Sequence, residues 1–290
     1  MNLGFVGAGA AGSALARALT RAGLPVVAVW SRRPERARTL AAEIHGCRAV
    51  GTAQQVVDAA DLVFLAVPDD AIQAVCAALR WRSGIAVVHA SGARSLDVLE
   101  AARIAGAQVG SFHPLQALTN TPGDLDRLSG SIVGIEAEEP LRRTLVDLAQ
   151  RIGGRPLMLS GSDKVLYHAA AVVIANYTVT LAWLAADLMT ALGLSRDDGL
   201  RALLPLLRGA VSNLEEIGLP GALTGPIARG DVATVRDHLT ALARERPQLE
   251  PLYRALARPT VALAREQRLS EESAAALLAL LADADTREAS

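Results

Sequence analysis

Cysteine is scarce in this chain: of 290 residues only two are cysteine, Cys47 and Cys76, and no CxxC spacing joins them. That argues against a disulfide framework or a dithiol redox pair and leaves two reduced, incidental thiols. An excess of either charge is missing too. Lysine and arginine number 29 against 30 aspartates and glutamates, a net charge of −1 with no block of like charge, so nucleic acid is not an expected partner. No stretch offers about 18 or more uninterrupted apolar residues, and no membrane partner is expected. Met1 runs directly into an apolar strand pattern, without a basic flank or a small-residue cleavage site. No signal peptide is expected, and the cytoplasm is the default location. There is no internal repeat or low-complexity tract, and no cluster of cysteine, histidine, aspartate and glutamate has the spacing of a metal site.

What the chain does have is apolar residues, 51% of the total, in a length with room for two domains. Apolar strands alternate with helical stretches over the first half, with strands expected at 2–6, 25–30, 61–66, 85–90, 107–112, 131–136 and 155–159. From Ser162 onward the pattern is helical throughout. The expected fold class is therefore α/β: a Rossmann-type parallel sheet domain over residues 1–160, followed by an all-α domain over 161–290. Cap signals punctuate the second part at Gly193, Ser195 with Asp198, Asp231 after Gly230, and Ser270. The apolar stretch from 162 to about Leu192 reads as one long helix that must be wrapped by other helices, which predicts a homodimer built by the C-terminal domain.

A glycine-rich turn, Gly7-Ala8-Gly9-Ala10-Ala11-Gly12, follows the apolar run Leu3-Gly4-Phe5-Val6 and opens an alanine-rich helix. In such a turn the first glycine allows the tight bend, the second lets backbone N–H groups reach a pyrophosphate, and the third lets helix and strand lie close. The helix N-terminus adds unpaired N–H groups and the positive end of its dipole. The second strand ends in Ser31-Arg32-Arg33, where an NAD enzyme would carry an acid for the ribose. Two guanidinium forks and a small hydroxyl suit a 2′-phosphate instead, so the expected cofactor is NADP.

Three more segments lie where open α/β sheets bind ligands. Leu65-Ala66-Val67-Pro68-Asp69-Asp70 closes a strand with a proline loop; Val67 and Pro68 are expected against the nicotinamide, and Asp69 and Asp70 are expected to cap a helix. Val87-Val88-His89-Ala90-Ser91-Gly92 ends another strand, with Ser91 a candidate donor to a substrate carboxylate or amide and His89 a candidate for burial. Gly110-Ser111-Phe112-His113-Pro114 presents His113, which the following proline biases to an extended conformation.

Candidate proton chemistry sits at the start of the long helix. Lys164 and His168 are four residues apart and share one face. Asn176 lies two turns further, about 12 Å from His168 at 1.5 Å per residue, as a candidate substrate contact. Reduction of a C=O or C=N bond leaves charge on oxygen or nitrogen and needs a positioned proton donor or cation, which this pair suits. Tyr167 is read as packing. In Gly225-Pro226-Ile227-Ala228-Arg229-Gly230-Asp231 a turn and an Asp231 cap are preferred over a carboxylate clamp by Arg229, and His45 and His238 have no partner that the sequence identifies.

The ordered set GAGAAG, LAVPDDAI, VVHASG, GSFHPLQAL, KVLYHAAAVVIANY and GPIARGD resembles the bacterial proteins that join a Rossmann-like domain to a DUF2520 domain, over nearly the whole chain. More distantly the chain is similar to β-hydroxyacid dehydrogenases, ketopantoate reductases and pyrroline-5-carboxylate reductases, which join an NAD(P) domain to a helical, usually dimerising one. In the β-hydroxyacid dehydrogenases a helix near the cleft carries a lysine and, four residues later, an asparagine. The matching spacing falls on Lys164 and His168, so the lysine is kept and the asparagine replaced, and the family's serine after the strand turn matches Ser91. The resemblance implies reduction of a small carbonyl compound, a 2-oxo acid such as ketopantoate, or of an imine. His168 and Lys164 are then the expected catalytic groups, with His113 a lesser one. A non-catalytic sensor of the NADP pool, or a deazaflavin binder with a roomier, less cationic site, are the alternatives on the same fold.

Overall fold

A computed structural model describes residues 1–121 and 123–282. The chain divides into two compact units, one over Met1–Asn176 and one from Tyr177 onward. The first therefore runs past residue 160, because the opening turns of the long helix pack on its sheet.

Eight strands form that sheet: β1 (Leu3–Val6), β2 (Val26–Trp30), β3 (Arg48–Ala49), β4 (Leu62–Leu65), β5 (Ala86–His89), β6 (Gln108–Pro114), β7 (Ile132–Ala137) and β8 (Arg155–Met158). Their order is β3-β2-β1-β4-β5-β6-β7-β8. Helices α1 (Ala10–Arg21), α2 (Pro34–Glu43), α3 (Ala53–Ala59), α4 (Ile72–Ala77), α5 (Glu100–Ile104), α6 (Asp124–Leu128), α7 (Leu141–Arg151) and α8 (Asp163–Ala171) belong to the same unit.

The central strands are apolar on both faces because both faces are covered. Every residue of β1 and β4 is buried. Phe5 stacks on Phe64 at 4.7 Å and Phe112 meets Phe64 edge-on at 5.8 Å. Burying a side chain of that size contributes about 1.5–3 kcal/mol relative to leaving it in water. Beneath them α1 turns Leu15 and Leu19 inward.

All seven expected strands form, and β3 is an addition: two exposed residues with no apolar run to announce them. The expectation of a parallel sheet needs one correction. β7 runs antiparallel to β6, while every other pair is parallel. Between those strands the described helix is the five-residue α6, too little for the crossover that a parallel partner requires.

The second unit is helical: α9 (Tyr177–Thr190), α10 (Arg196–Glu216), α11 (Val232–Glu245), α12 (Glu250–Glu266) and α13 (Glu271–Leu281). Its core joins Val235 and Leu239 to Val261, Ala264, Leu277 and Leu281. The cap signals are realised: Ser195, Asp231 and Ser270 accept from the backbone N–H of Asp198, Thr234 and Ser273, and Gly193 is left-handed at φ +87°. His238, without a partner on the sequence, has Nδ1 2.9 Å from the Tyr253 hydroxyl.

The helix Asp163–Thr190, with a π-helical segment at Val172–Asn176, has 28 residues and a mean hydropathy of 1.7 in its most apolar window. By length and composition alone that is enough to cross a membrane. Its first turns, however, carry polar side chains seated on the sheet, which gives it a place in a folded domain. Only 6% of the apolar window is buried. Among the described residues the wrapping is partial: α9 packs on the helix that follows it, while Val173, Ile174, Val179 and Trp183 stay exposed.

Candidate active site

Turn and helix meet closely at the end of β1. Gly7 has φ +115°, and a Cβ there would stand 2.2 Å from the Ala66 carbonyl oxygen; one at Gly12 would stand 2.2 Å from the Gly7 carbonyl oxygen. Neither position admits another residue without moving backbone. Gly9 differs, because a Cβ there would meet nothing within 4 Å. It is the N-cap of α1 and no side chain caps the helix, so the first-turn N–H groups face open space. β2 ends beside this turn: the Gly7 N–H donates to the Trp30 carbonyl at 2.8 Å, and Arg32 and Arg33 follow, both exposed. An open cradle of N–H groups beside two guanidinium forks fits a dinucleotide with an additional phosphate. Ala8, Ala10 and Ala11 complete the turn, and Ser31 accepts from the Arg33 N–H at 3.2 Å.

The packing that requires Gly7 and Gly12 also puts Ala66 against the turn, so Val67 and Pro68 begin one residue away. Beyond them the expectation for the aspartates fails. Helix α4 starts at Ile72 with Ala71 as its N-cap and no side-chain cap. Asp69 instead reaches the next strand loop, where its carboxylate accepts from the Ser91 hydroxyl at 2.6 Å. That hydroxyl accepts in turn from the N–H groups of Ala93 and Arg94. Ser91 is therefore fixed by three bonds, and its proton is given to Asp69.

At the next residue two imidazoles converge. A Cβ on Gly92 would lie 2.9 Å from His113 Nε2 and 2.9 Å from His168 Cδ2, so glycine is what lets both rings approach the loop. The ring centroids of His113 and His168 are 6.2 Å apart. Tyr167, read from the sequence as packing, is a partner of this site. Its hydroxyl stands 3.1 Å from His113 Nδ1 and donates to the His113 carbonyl at 3.3 Å. Room for the phenol comes from Gly134, where a Cβ would stand 3.0 Å from the Tyr167 hydroxyl oxygen. The geometric reason is plain: positions 164, 167 and 168 are i, i+3 and i+4 on one helical face.

Lys164 is 1% exposed, with Nζ 3.6 Å from Glu136 Oε2, an ion pair just beyond hydrogen-bond reach. Burial pushes the Lys164 ammonium down to about 8 against the upward pull of Glu136 and Asp69, and burial raises Glu136. Burial, then electrostatic interaction with His168 and Lys164, pushes His113 down to about 4, so its ring is neutral near pH 7. His89 is pushed to about 3 by burial and by Lys164, and its Nδ1 accepts from the Ser91 N–H at 3.2 Å.

Of the residues singled out from the sequence, Ser91, His113, Lys164 and His168 share one cluster at the carboxyl edge of the sheet. Gly7 to Gly12, Ser31 to Arg33, Val67 and Pro68 form its continuation towards β2. Asn176 ends the π-helical segment beyond His168, exposed. Sequence reasoning missed Asp69 as the Ser91 acceptor, Tyr167 and Glu136. One signal was legible and unused. Lys164 is the single lysine in a chain with 28 arginines, so the one primary amine side chain stands inside this cluster.

Residues 2–91 match the family described as NADP oxidoreductase coenzyme F420-dependent, and residues 131–260 match the domain of unknown function DUF2520. The chain is thus similar to an NADP oxidoreductase domain over its first part and to DUF2520 over most of its second. The DUF2520 match begins at β7, so it takes in Glu136, Lys164, Tyr167 and His168, whereas the nucleotide cradle and Ser91 lie in the oxidoreductase match. No curated protein matches the sequence. Among solved structures, a candidate NADP oxidoreductase of Bacteroides fragilis is 26% identical with a TM-score of 0.72, over 90% of this chain and 98% of its own. A protein of Thermotoga maritima is also 26% identical, at 0.73, over 92% and 100%. The 1-pyrroline-5-carboxylate reductase of Streptococcus pyogenes, 19% identical at 0.61 over 92% and 98%, shares the fold.

Proposed function

We propose that this protein is a cytoplasmic NADPH-dependent reductase of a small carbonyl or imine compound, with a 2-oxo acid such as ketopantoate among the carbonyl substrates. The observation that carries the reading is one continuous edge: an open N–H cradle with Arg32 and Arg33 at one end and Lys164, His168 and His113 at the other. Reduced nicotinamide, when bound, supplies hydride to the substrate carbon. His168 gives a proton to the oxygen or nitrogen, Lys164 stabilises the charge developing there, and neutral His113 is a second donor to the same atom. Ser91, whose hydroxyl is fully engaged by Asp69 and the Ala93 and Arg94 N–H groups, fixes the loop that carries Gly92 beside the substrate rather than donating to it, and Asn176 contacts the far end of a longer substrate. A non-catalytic sensor would need no proton donor beside the nicotinamide, so a titratable cluster there supports chemistry over sensing. The family that residues 2–91 match is described by NADP and coenzyme F420, a deazaflavin, together, and Arg32 and Arg33 beside the N–H cradle support NADP as the occupant of that cradle.

Titration by fluorescence should give NADPH a roughly ten-fold or greater advantage over NADH, about 1.4 kcal/mol, and alanine at Arg32 or Arg33 should shrink it. Equal or tighter uptake of NADH overturns the assignment. Screening 2-oxo acids and cyclic imines for loss of nicotinamide absorbance then identifies the substrate class; tight NADPH binding with no substrate reduced favours the sensor.

We further infer a homodimer formed through the helical unit. A hollow of about 550 Å³ lined by Leu181, Leu188, Leu192 and Leu256 opens on that unit, among other exposed apolar residues. Burying such a surface needs a second apolar face, and a second copy supplies one. Light scattering should give twice the chain mass, and a strict monomer at micromolar concentration overturns the inference.

A further inference from the structure

Among the described residues, four buried side-chain atoms have no hydrogen-bond partner: His89 Nε2, Ser111 Oγ, Glu136 Oε2 and Lys164 Nζ. They form one group. His89 pairs in register with Ser111 and Ser111 with Glu136, so three neighbouring strands carry these side chains on one face of the sheet, roughly 4.8 Å apart from strand to strand. Lys164 closes the row from α8, next to Glu136. Leaving such atoms unsatisfied is costly, and buried polar groups of this kind are ordinarily satisfied by a partner or an internal water.

The row also has an outlet. A Cβ at Gly161 would stand 3.3 Å from Glu136 Oε1, and the Glu136 side chain is 16% exposed. Glu136 lines a surface hollow of about 350 Å³ with Leu96, Arg142 and Leu159. One oxygen of this carboxylate thus faces the buried amine while the residue as a whole reaches solvent. Lys164 has no exposure of its own to draw on. The choice of residue fits: a chain that uses arginine for every other cationic side chain except histidine keeps lysine here, where a proton can be released near neutral pH.

We propose that Glu136 supplies protons to Lys164, taking them from the solvent-facing hollow and passing them to the amine that its second oxygen faces at 3.6 Å. This rests on the reductase reading, with Lys164 as the group that restores the proton spent in each turnover. The step balances. Hydride from NADPH forms the C–H bond, His168 protonates the oxygen or nitrogen, the Lys164 ammonium reprotonates His168 and becomes a neutral amine. The Glu136 carboxylic acid returns that proton, and solvent reprotonates the carboxylate. The depressed ammonium and the raised carboxyl bring the two groups closer in proton affinity. The other groups that act on the pair are Asp69 beyond β4, His89 on β5, His113 on β6, Asp97 before α5 and Asp163 on α8.

A single lysine makes the test clean, because carbon-13 labelling of lysine places one side-chain probe in the whole chain. In the unmodified protein the Lys164 signal should titrate near pH 8, with a smaller inflection at acid pH where Glu136 changes charge. In Glu136→Gln the main midpoint should fall by about one unit and the acid inflection should vanish, because the carboxylate favours the ammonium, while NADPH affinity is unchanged. Turnover should drop about 10- to 100-fold and recover in part with added formate, a small acid that replaces the relay, and Glu136→Asp should lie between. An unmoved midpoint in Glu136→Gln, or no acid inflection in the unmodified chain, overturns the coupling. Full turnover in Glu136→Gln overturns the supply role. Lysine signal and NADPH affinity are read without substrate, so failure of the reductase reading is separable from failure of this one, and the unmodified chain decides the coupling even if the variant does not fold.

Discussion

Replacement of His168 by alanine should lower kcat by about 10² to 10⁴ while leaving NADPH affinity within about two-fold. The imidazole lies against Gly92 and near His113, and neither residue belongs to the glycine-rich turn or the Ser31 to Arg33 segment. Binding and proton transfer are therefore expected to separate. His168 is half-buried, so the fold should tolerate the change better than a change at the fully buried Lys164. Lys164→Arg is the informative companion. It keeps a positive charge near Glu136 but holds its protons at any workable pH, so a residue needed only for charge would tolerate it and a residue that exchanges protons would not. Both kcat and NADPH affinity decide the matter: an unchanged rate in His168→Ala removes that side chain from the mechanism, and parallel loss of rate and affinity in either variant assigns it to binding.

Stability should fall as the protein is acidified from about pH 6.5 towards pH 4, before most carboxylates titrate. His89 and His113 are held neutral, at about 3 and about 4, chiefly because burial penalises their charged forms. In the unfolded chain both rings take up protons near pH 6.5. Between those limits the unfolded state binds more protons than the folded one, so the free energy of unfolding decreases as pH decreases. Stability is complete above the unfolded value and is lost down to the folded one. The slope is up to roughly 1.4 kcal/mol per pH unit for each histidine, a few kcal/mol by pH 5 for the pair, which is a large share of the 5–15 kcal/mol of an ordinary domain. Urea midpoints at pH 7.5 and 5 check it, and His113→Gln should flatten the dependence. A midpoint unchanged between those values shows that the rings are not held neutral.

The apolar strands and the glycine-rich turn were legible because each depends on neighbours in sequence. A short apolar run such as Leu62–Leu65 between helical stretches reads as a buried strand, and glycines at spacings of two and five between a strand and a helix read as a tight turn with close packing. Lys164 and His168 were legible for the same reason, since four residues is one helical turn. Tyr167 was set aside for being one residue off His168, although it is three from Lys164, and helical periodicity admits both spacings. Asp69 was misread because a polar residue just before a helix is usually a cap; its partner Ser91 is 22 residues on and meets it only where two strand ends lie side by side.

By itself the amino-acid order determined the layered α/β class, the helical second half, the glycine-rich turn before α1 and the face of the helix that bears the lysine. Those follow from periodicity, which is local. Only the tertiary structure decided that β7 runs antiparallel, and with it that Glu136 stands beside Ser111 and next to Lys164. Strand direction is set by what the connection can span and by the competition of whole faces for burial. No window of sequence contains both sides of that competition.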